Sequence, residues 1–510
     1  MPLYDILFDA PVSDWLKFAG FFLGIFLFIF IAEKTRAALG WHAEVNRKLV
    51  HIGTGVLIFT CAFLFESKTP LIWMAVLFIG INFLGVRTGR LKGMHGTARH
   101  TYGTVFYPLA FLVLVLTCWE GHKVILMMSM LILAISDAMA AIVGENLKKP
   151  HEFILLKDKK SAEGSAVMFA TTLLLFLAVL PRIAYLDNLT FPWWRALWIG
   201  LITAAVATAF EALSSAGSDN LTAPLGAAYM MYLMIGRPIG FNIQVTLGFF
   251  LALTVAVLSV RAKFLSPSGG VMTFLLGTLI FGAGGVAWTA PILVFFFSSS
   301  LLSKLGKRNK SRFQHLYEKT GTRDAGQVLA NGGIAGLMVI LNSFWNHPFW
   351  YALYLGAVAA VNADTWATEI GVFSRFKPRS VRTFRIVPHG TSGGITPLGT
   401  FASLCGSALI VVSGWLTAPG EFGVMPRAAW FWIIIAAGLA ASLADSLLGA
   451  TIQAQYRCVR CQKITEKPIH CGGKTALVNG CSRVNNDSVN LISSAVGAGL
   501  VWLLINGTVR

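Results

Sequence analysis

Charged side chains are scarce in this chain. They make up 13% of its 510 residues, about half the share of a soluble domain, which excludes an ordinary water-soluble enzyme. Apolar residues fill the deficit: 55% of the chain is hydrophobic and the mean hydropathy is +0.68. Runs such as Phe18–Ala32, Val167–Leu180, Phe241–Val260 and Ile433–Leu443 recur along the whole length. Stretches of about 20 apolar residues are what crosses a bilayer core. Lipid cannot satisfy open backbone polar groups, so the expected fold is an all-α polytopic membrane protein.

Acidic residues are the scarcer sign, 23 against 41 basic, for a net charge of +18. In a soluble protein that balance would suggest nucleic acid. In a membrane protein the enrichment of inner loops in Lys and Arg explains it, and no nucleic-acid partner is expected. Sixteen spans are predicted, near 16–35, 48–65, 70–86, 103–118, 123–144, 163–181, 193–211, 224–236, 243–260, 268–282, 286–303, 326–343, 349–372, 395–418, 428–450 and 488–506. With the N-terminus outside, 33 of the 41 basic residues fall in inner connections. That bias fixes the orientation and puts the active sites on the cytosolic face; the expected location is a bacterial inner membrane. Basic residues are absent from Met1–Asp14, which carries Asp5, Asp9 and Asp14, so no signal or transit peptide is expected there. There is no low-complexity linker.

Cysteine is also sparse. Cys61, Cys118 and Cys405 are isolated in or near spans and read as small packing residues. The other four of seven lie in one inner segment, Cys458-x2-Cys461-x8-His470-Cys471-x9-Cys481. Disulfides are not favoured on a cytosolic face. The spacing allows a structural zinc site from Cys458, Cys461, Cys471 and Cys481, with His470 as a substitute; the alternative is a surface loop of reduced thiols.

A pattern of polar punctuation occurs twice in the same order. Asp137…Gly144 matches Asp364…Gly371. Lys160-Ser-Ala-Glu-Gly-Ser165 matches His389-Gly-Thr-Ser-Gly-Gly394. Asp219-Asn220 precedes a span in one half and Asn486-Asp487…Asn490 opens one in the other. A Cys-rich insertion at 451–484 accounts for most of the longer spacing in the second half. These features predict two parallel-related halves, 1–260 and 261–510, with no inversion of the kind seen in alternating-access transporters.

Carboxylates at span ends are expensive and mark function. In the first half Asp137, Glu211 and Asp219 are the candidate catalytic groups. Arg47, Lys48, His51, Lys157, Lys159, Lys160, Ser161, Glu163, Gly164 and Asn220 are the candidate phosphate-binding set, because lysines beside a Gly–Ser helix start favour anions. In the second half the acidic candidates are Asp364, Glu369, Asp445 and Asp487. The phosphate-binding candidates are Lys304, Arg323, Gln327, Asn331, His389, Gly390, Thr391, Ser392, Gly393, Gly394, Asn486 and Asn490; the Gly-Thr-Ser-Gly-Gly run could cradle phosphate with backbone N–H groups. Asp137, Asp219, Asp364 and Asp487 are the expected Mg²⁺ ligands.

Arg47-Lys-Leu-Val-His51, Asp137…Gly144, Lys160-Ser-Ala-Glu-Gly164 and Asp219-Asn-Leu-Thr-Ala-Pro224 resemble the dolichol kinase and phytol kinase family, related to the CDP-diacylglycerol synthases. Gln327…Ala330-Asn-Gly-Gly333, Asp364-Thr-Trp-Ala-Thr-Glu369, Pro388-His-Gly-Thr-Ser-Gly-Gly394, Asp445-Ser-Leu-Leu-Gly-Ala450 and Asn486-Asp487…Asn490 resemble the integral membrane family that includes phytyl-phosphate kinase. Together the resemblances imply a bifunctional membrane kinase using CTP and Mg²⁺. The first half would convert an isoprenoid alcohol of the phytol or geranylgeraniol type to its monophosphate, and the second would make the diphosphate. The rival readings are a CTP-dependent diacylglycerol kinase, a cytidylyltransferase, and a transporter or flippase of lipid phosphates.

Overall fold

The computed structural model describes residues 9–88, 102–305, 322–388, 391–420 and 427–508. It is helical, as hydropathy requires, with three small β-sheets outside the apolar segments. The chain folds into two compact units, Met1–Asn242 and Ile243–Arg510, rather than dividing after residue 260.

The first unit contains α1 (Val12–Leu39), α2 (Ala43–Leu64), α3 (Thr69–Thr88), α4 (Gly103–Cys118) and α5 (Lys123–Asn146). Then follow β1 (Glu152–Ile154), β2 (Lys159–Ser161), α6 (Ala162–Ala178), α7 (Trp193–Ala212) and α8 (Asp219–Met234). Helix α5 is the centre: 72% of its most apolar window is buried, against 11% for α1. It is apolar all round, as a helix surrounded by others must be, and packs against α2, α4, α6 and α8. Its course is interrupted by a π turn over Ile132–Asp137. Outer helices instead expose Leu23, Phe30, Leu84 and Leu174, the surface a lipid-facing bundle needs.

Helix α9 (Ile239–Arg261) contains the unit boundary. A Cβ on its Gly248 would stand 2.6 Å from the backbone nitrogen of Gly282, so most of α9 packs tightly onto α10 (Pro267–Leu305). That explains why the boundary precedes residue 260. The second unit continues with α11 (Ala325–Phe344), α12 (Pro348–Gly371), β3 (Arg379–Ser380), β4 (Gly394–Ile395), α13 (Pro397–Thr417) and α14 (Arg427–Thr451). A small sheet of β5 (Gln455–Cys458), β6 (Ile464–Thr465), β7 (Ile469–His470) and β8 (Gly473–Asn479) precedes α15 (Asn486–Thr508). Here α12 is central, buried from Tyr351 to Ala363, and packs against α10, α11, α13, α14 and α15.

Among the described residues twelve helices are long and apolar enough to cross a membrane, against sixteen expected spans. The segments 268–282 and 286–303 form one helix, α10, kinked at Gly285 with φ 61°. Helices α4 and α8 have only 16 residues each. Helix α12 carries Asn362, Asp364 and Glu369 and is not among the twelve.

Candidate functional site

In the first unit the ends of α2, α5, α7 and α8 and the β1–β2 hairpin meet around a cavity of about 1080 Å³. One end is apolar, lined by Phe26, Phe30, Phe78 and Phe111. The other is charged. Helix α5 supplies Asp137 at the end of its π turn, a local widening often found where a helix re-aims a functional side chain. Strand β2 supplies Lys160, α7 supplies Glu211 from its last turn, and α8 supplies Asp219 from its first residue.

Lys160 joins the carboxylates. Its Nζ donates to Glu211 Oε1 at 2.6 Å and to Asp219 Oδ2 at 3.3 Å. Burial opposes the Lys160 charge, but Asp219 and Glu211 outweigh it and hold its ionisation above the ordinary lysine value. Asp219 also accepts from Ser214 Oγ (3.2 Å) and from the Asn220 backbone and side-chain amides (3.1 Å each). Glu211 Oε2 is buried with no hydrogen-bond donor among the described residues. Asp137 stands outside the two hydrogen bonds of Lys160, with His51 Nε2 at 3.9 Å; that nitrogen lies 2.9 Å from Leu133 O.

The hairpin that presents Lys160 is fixed by a close helix contact. Ser161 caps α6 by accepting from Gly164 N at 3.1 Å, a standard N-cap bond. A Cβ on Gly144 would lie 2.7 Å from Ser161 Oγ, and one on Gly164 3.0 Å from Ala140 O. Only glycines permit this approach of α5 and α6. Asp158 accepts from Ala216 N at 2.9 Å, tying the hairpin to the loop before Asp219.

Arg47, His51, Lys159, Lys160, Ser161, Gly164 and Asn220 all line the cavity. Four expected phosphate ligands are occupied or lie elsewhere. Lys159, on the cavity wall, pairs with Glu152 at 2.9 Å. Lys48 pairs with Glu145. Glu163 accepts from the His151 backbone and lies 2.6 Å from its Nδ1. Lys157 does not line the cavity. Sequence reasoning missed Asn46, Tyr107, Lys148 and Asp158, which do; Tyr107 stacks edge-on against His51 with centroids 4.9 Å apart, and nothing in its apolar run sets it apart.

In the second unit Asp445 lies within electrostatic reach of Asp364 and of Glu466, a residue with no distinguishing mark in the sequence. Asp445 Oδ2 is buried with no hydrogen-bond donor among the described residues. Glu466 Oε1 accepts from Ser392 Oγ at 2.7 Å and Gln453 Nε2 at 2.8 Å. Glu369 accepts from Ser303 Oγ at 2.8 Å. Burial pulls Arg323 below the usual guanidinium value, with Glu369 opposing. Asn490 Nδ2 donates to Asn331 Oδ1 at 3.1 Å. Gln327 N donates to the capping Asp324 at 3.0 Å, and Lys304 Nζ lies 3.8 Å from the Phe264 ring centroid. Asp487 occupies the first turn of α15, beside Asn486.

The described part of the expected phosphate cradle, 391–394, has its polar groups engaged by the chain itself. His389 and Gly390 lie outside the described residues. Thr391 N donates to Pro388 O (3.3 Å), Gly394 N donates to Thr391 O (3.0 Å), and the Thr391 hydroxyl donates to Pro388 O (2.8 Å). Gly393, at φ 78°, has no room for a Cβ against Ser446 and Ala450 of α14. Two N–H groups meant for phosphate are therefore already engaged.

The helix contact that anchors Lys160 recurs, but in a different register from the one expected. Thr396 accepts from Gly399 N at 3.1 Å. A Cβ on Gly371 would lie 3.3 Å from Thr396 Oγ1, and one on Gly399 3.0 Å from Ala367 O. The capped segment in the second unit is thus Ile395-Thr-Pro-Leu-Gly399, not 389–394, and Ile395 holds the place before the cap that Lys160 holds in the first unit.

The cysteine cluster also differs from the expected set. Cys458, Cys461, His470 and Cys471 have ligand atoms all within 4.8 Å of one another. Cys481 is not among them; its N donates to Ile452 O at 2.9 Å, at the base of the insertion. A hydrogen bond from the Cys461 backbone, and then His470, pull the Cys458 thiol down to about 6.

The chain matches the family described as Integral membrane protein DUF92 over residues 250–498. It is 34% identical over 258 residues to Protein PGR of Arabidopsis thaliana, covering 47% of this chain and 88% of that protein. It is 32% identical over 192 residues to Phytol kinase of Synechocystis sp., covering 37% of this chain and 79% of that protein. Protein VTE6, chloroplastic, of Arabidopsis thaliana is 27% identical over 246 residues, covering 47% and 65%. No solved structure matches. Helical spans, polar clusters and relatives agree: the chain belongs to the Integral membrane protein DUF92 family, and phytol kinase is among its relatives.

Proposed function

We propose that the first unit is a membrane kinase acting on an isoprenoid alcohol of the phytol or geranylgeraniol type, with CTP as phosphoryl donor. The observation that carries this reading is the two-ended cavity: phenylalanines at one end and Asp137, Lys160, Glu211 and Asp219 at the other. A prenyl chain suits the apolar end and places its hydroxyl among the carboxylates. The similarity to Phytol kinase of Synechocystis sp., over 79% of that protein's length, supports the same reaction.

In the transfer, the alcohol oxygen bonds to the terminal phosphorus as the bond to the bridging oxygen breaks. The nucleoside diphosphate leaves with that electron pair, and Asp137 takes the hydroxyl proton. Such transfers depend mainly on positioning and charge neutralisation. Arg47, Lys148 and Lys159 line the cavity where the triphosphate would lie, and Lys160 holds Glu211 and Asp219 in place. The donor set fits Mg²⁺, a hard ion that takes carboxylate oxygens: Glu211 Oε2 is buried and lacks a donor among the described residues. When bound, the ion neutralises phosphate charge. The distribution of basic residues supports a cytosolic, inner-membrane position for the charged end.

The second unit is assigned the next step, monophosphate to diphosphate, on its likeness to the phytyl-phosphate kinase motifs and its Asp364, Asp445 and Glu466 cluster. The test is the purified full chain in lipid discs with phytol and either γ-labelled or α-labelled CTP. Label reaching lipid from the γ position is expected. Label from the α position means cytidylyl transfer and overturns the proposal, as does no lipid label at all.

A further inference from the structure

We infer that Cys458, Cys461, His470 and Cys471 hold one zinc ion, and that this ion seats Glu466 at the acidic group of the second unit. The four residues sit on two facing hairpin turns. Cys458 and Cys461 flank the turn between β5 and β6; His470 and Cys471 occupy the turn between β7 and β8. The strands run in the order β6-β5-β8-β7, which brings the two turns together.

All four ligand atoms lie within 4.8 Å of one another, and the two distances from His470 match a tetrahedral edge. His470 Nδ1 lies 3.5 Å from Cys461 Sγ and 3.2 Å from Cys471 Sγ. Bond lengths to zinc of about 2.3 Å for sulfur and 2.0–2.1 Å for nitrogen imply a ligand-to-ligand edge of about 3.5 Å. The backbone is bent to suit. Gln462 N donates to Cys458 O at 2.9 Å and Cys458 N to Lys463 O at 3.0 Å. Gln462, Cys471 and Gly472 have φ of 59°, 52° and 71°, left-handed geometry that a non-glycine residue adopts at a cost. Arg460 Nη1 donates to Cys471 O at 2.8 Å, bracing one turn on the other.

The sheet needs such a clamp. Its strands are two to seven residues long, and Val459, Ile464, Ile469 and Leu477 are exposed. So small an element buries too little to hold itself together, and a structural metal is the usual remedy. Glu466 follows β6 directly. From there it accepts from Ser392 and Gln453 and lies within electrostatic reach of Asp445. The clamped sheet is thus what carries a carboxylate to that cluster.

Metal analysis of the full chain, purified without chelator, should find about one zinc per chain. Exchange for Co²⁺ should give the visible bands of a tetrahedral thiolate site. His470→Ala and Cys471→Ser should lose or shift those bands, while Cys481→Ser should keep them. Removing zinc should raise amide exchange over 391–395 and 448–453, and Glu466→Ala should do the same with zinc retained. A metal-free chain, a disulfide among these cysteines, bands that depend on Cys481 but not His470, or exchange unmoved by zinc loss would each overturn the inference. If Cys471→Ser fails to fold, the Cys481→Ser and His470→Ala spectra decide. None of these readouts uses kinase activity, so the two proposals stand or fall separately.

Discussion

Lys160 neutralises two carboxylates from two helices at once. Its side chain is 16% exposed, and those of Glu211 and Asp219 are 9% and 18% exposed. Removing one member of a buried ionic group leaves the others uncompensated, at roughly 3–5 kcal/mol. Lys160→Met should therefore lower the thermal midpoint of the full chain in detergent, and adding Glu211→Gln should recover part of the loss. The sign of the pH effect follows from the raised Lys160 ionisation. Its stabilisation is complete below the ordinary lysine value and is lost only as pH rises through the higher folded-state value. A stability profile from pH 6 to 9 should therefore show no limb attributable to Lys160, and one that vanished in Lys160→Met would contradict this. At this scale the sequence is most legible where a carboxylate interrupts an apolar run, as at Asp137, Glu211 and Asp445. Glu466 escapes notice because it sits in a polar loop, where an acidic residue carries no signal until the loop is folded.

Two helices meet at Gly144 and Gly164, and two more at Gly371 and Gly399. In each pair a hydroxyl cap and a carbonyl from the preceding helix occupy the space a Cβ would need. Gly164→Ala puts a methyl group 2.9 Å from Ser161 Oγ and 3.0 Å from Ala140 O, which should cost about 1–3 kcal/mol, read as a lower midpoint in thermal melts. Because the same contact positions the β1–β2 hairpin, phosphorylation of alcohol should fall with it, while Gly80→Ala, which meets nothing within 4 Å, should be neutral in both. Helix positions are legible from hydropathy, since each of the sixteen segments falls largely on a helix. The register of the cap is not. A Gly-Thr-Ser-Gly-Gly run looks more like the Lys-Ser-Ala-Glu-Gly segment than Ile-Thr-Pro-Leu-Gly does, and only the hydroxyl-to-glycine bond identifies the structural counterpart.

At the level of the whole molecule, two compact units each surround one deeply buried helix, α5 or α12, that ends in a carboxylate-bearing segment. If each unit catalyses one step, the steps separate genetically. Asp137→Asn should reduce monophosphate formation by about 100-fold or more, yet still convert added prenyl monophosphate to diphosphate. Asp364→Asn should let monophosphate accumulate. Thin-layer separation of lipid products checks both, and diphosphate made from alcohol at the normal rate by the Asp364 variant would refute the division. The second unit has isoleucine where the first has Lys160.

The π turn at Ile132–Asp137 bears on how α5 could be altered by an insertion or deletion. It accommodates one surplus residue directly upstream of the proposed proton acceptor. Deleting a single residue there would let the segment relax to regular α geometry with everything beyond it still in phase, whereas inserting one more would rotate everything beyond it by about 100°. With the insertion the Asp137 carboxylate would swing off the cavity wall and the Gly144 contact would lose phase, so gain of one aliphatic residue should silence the first unit as fully as loss of the acid itself, while the deletion should be tolerated.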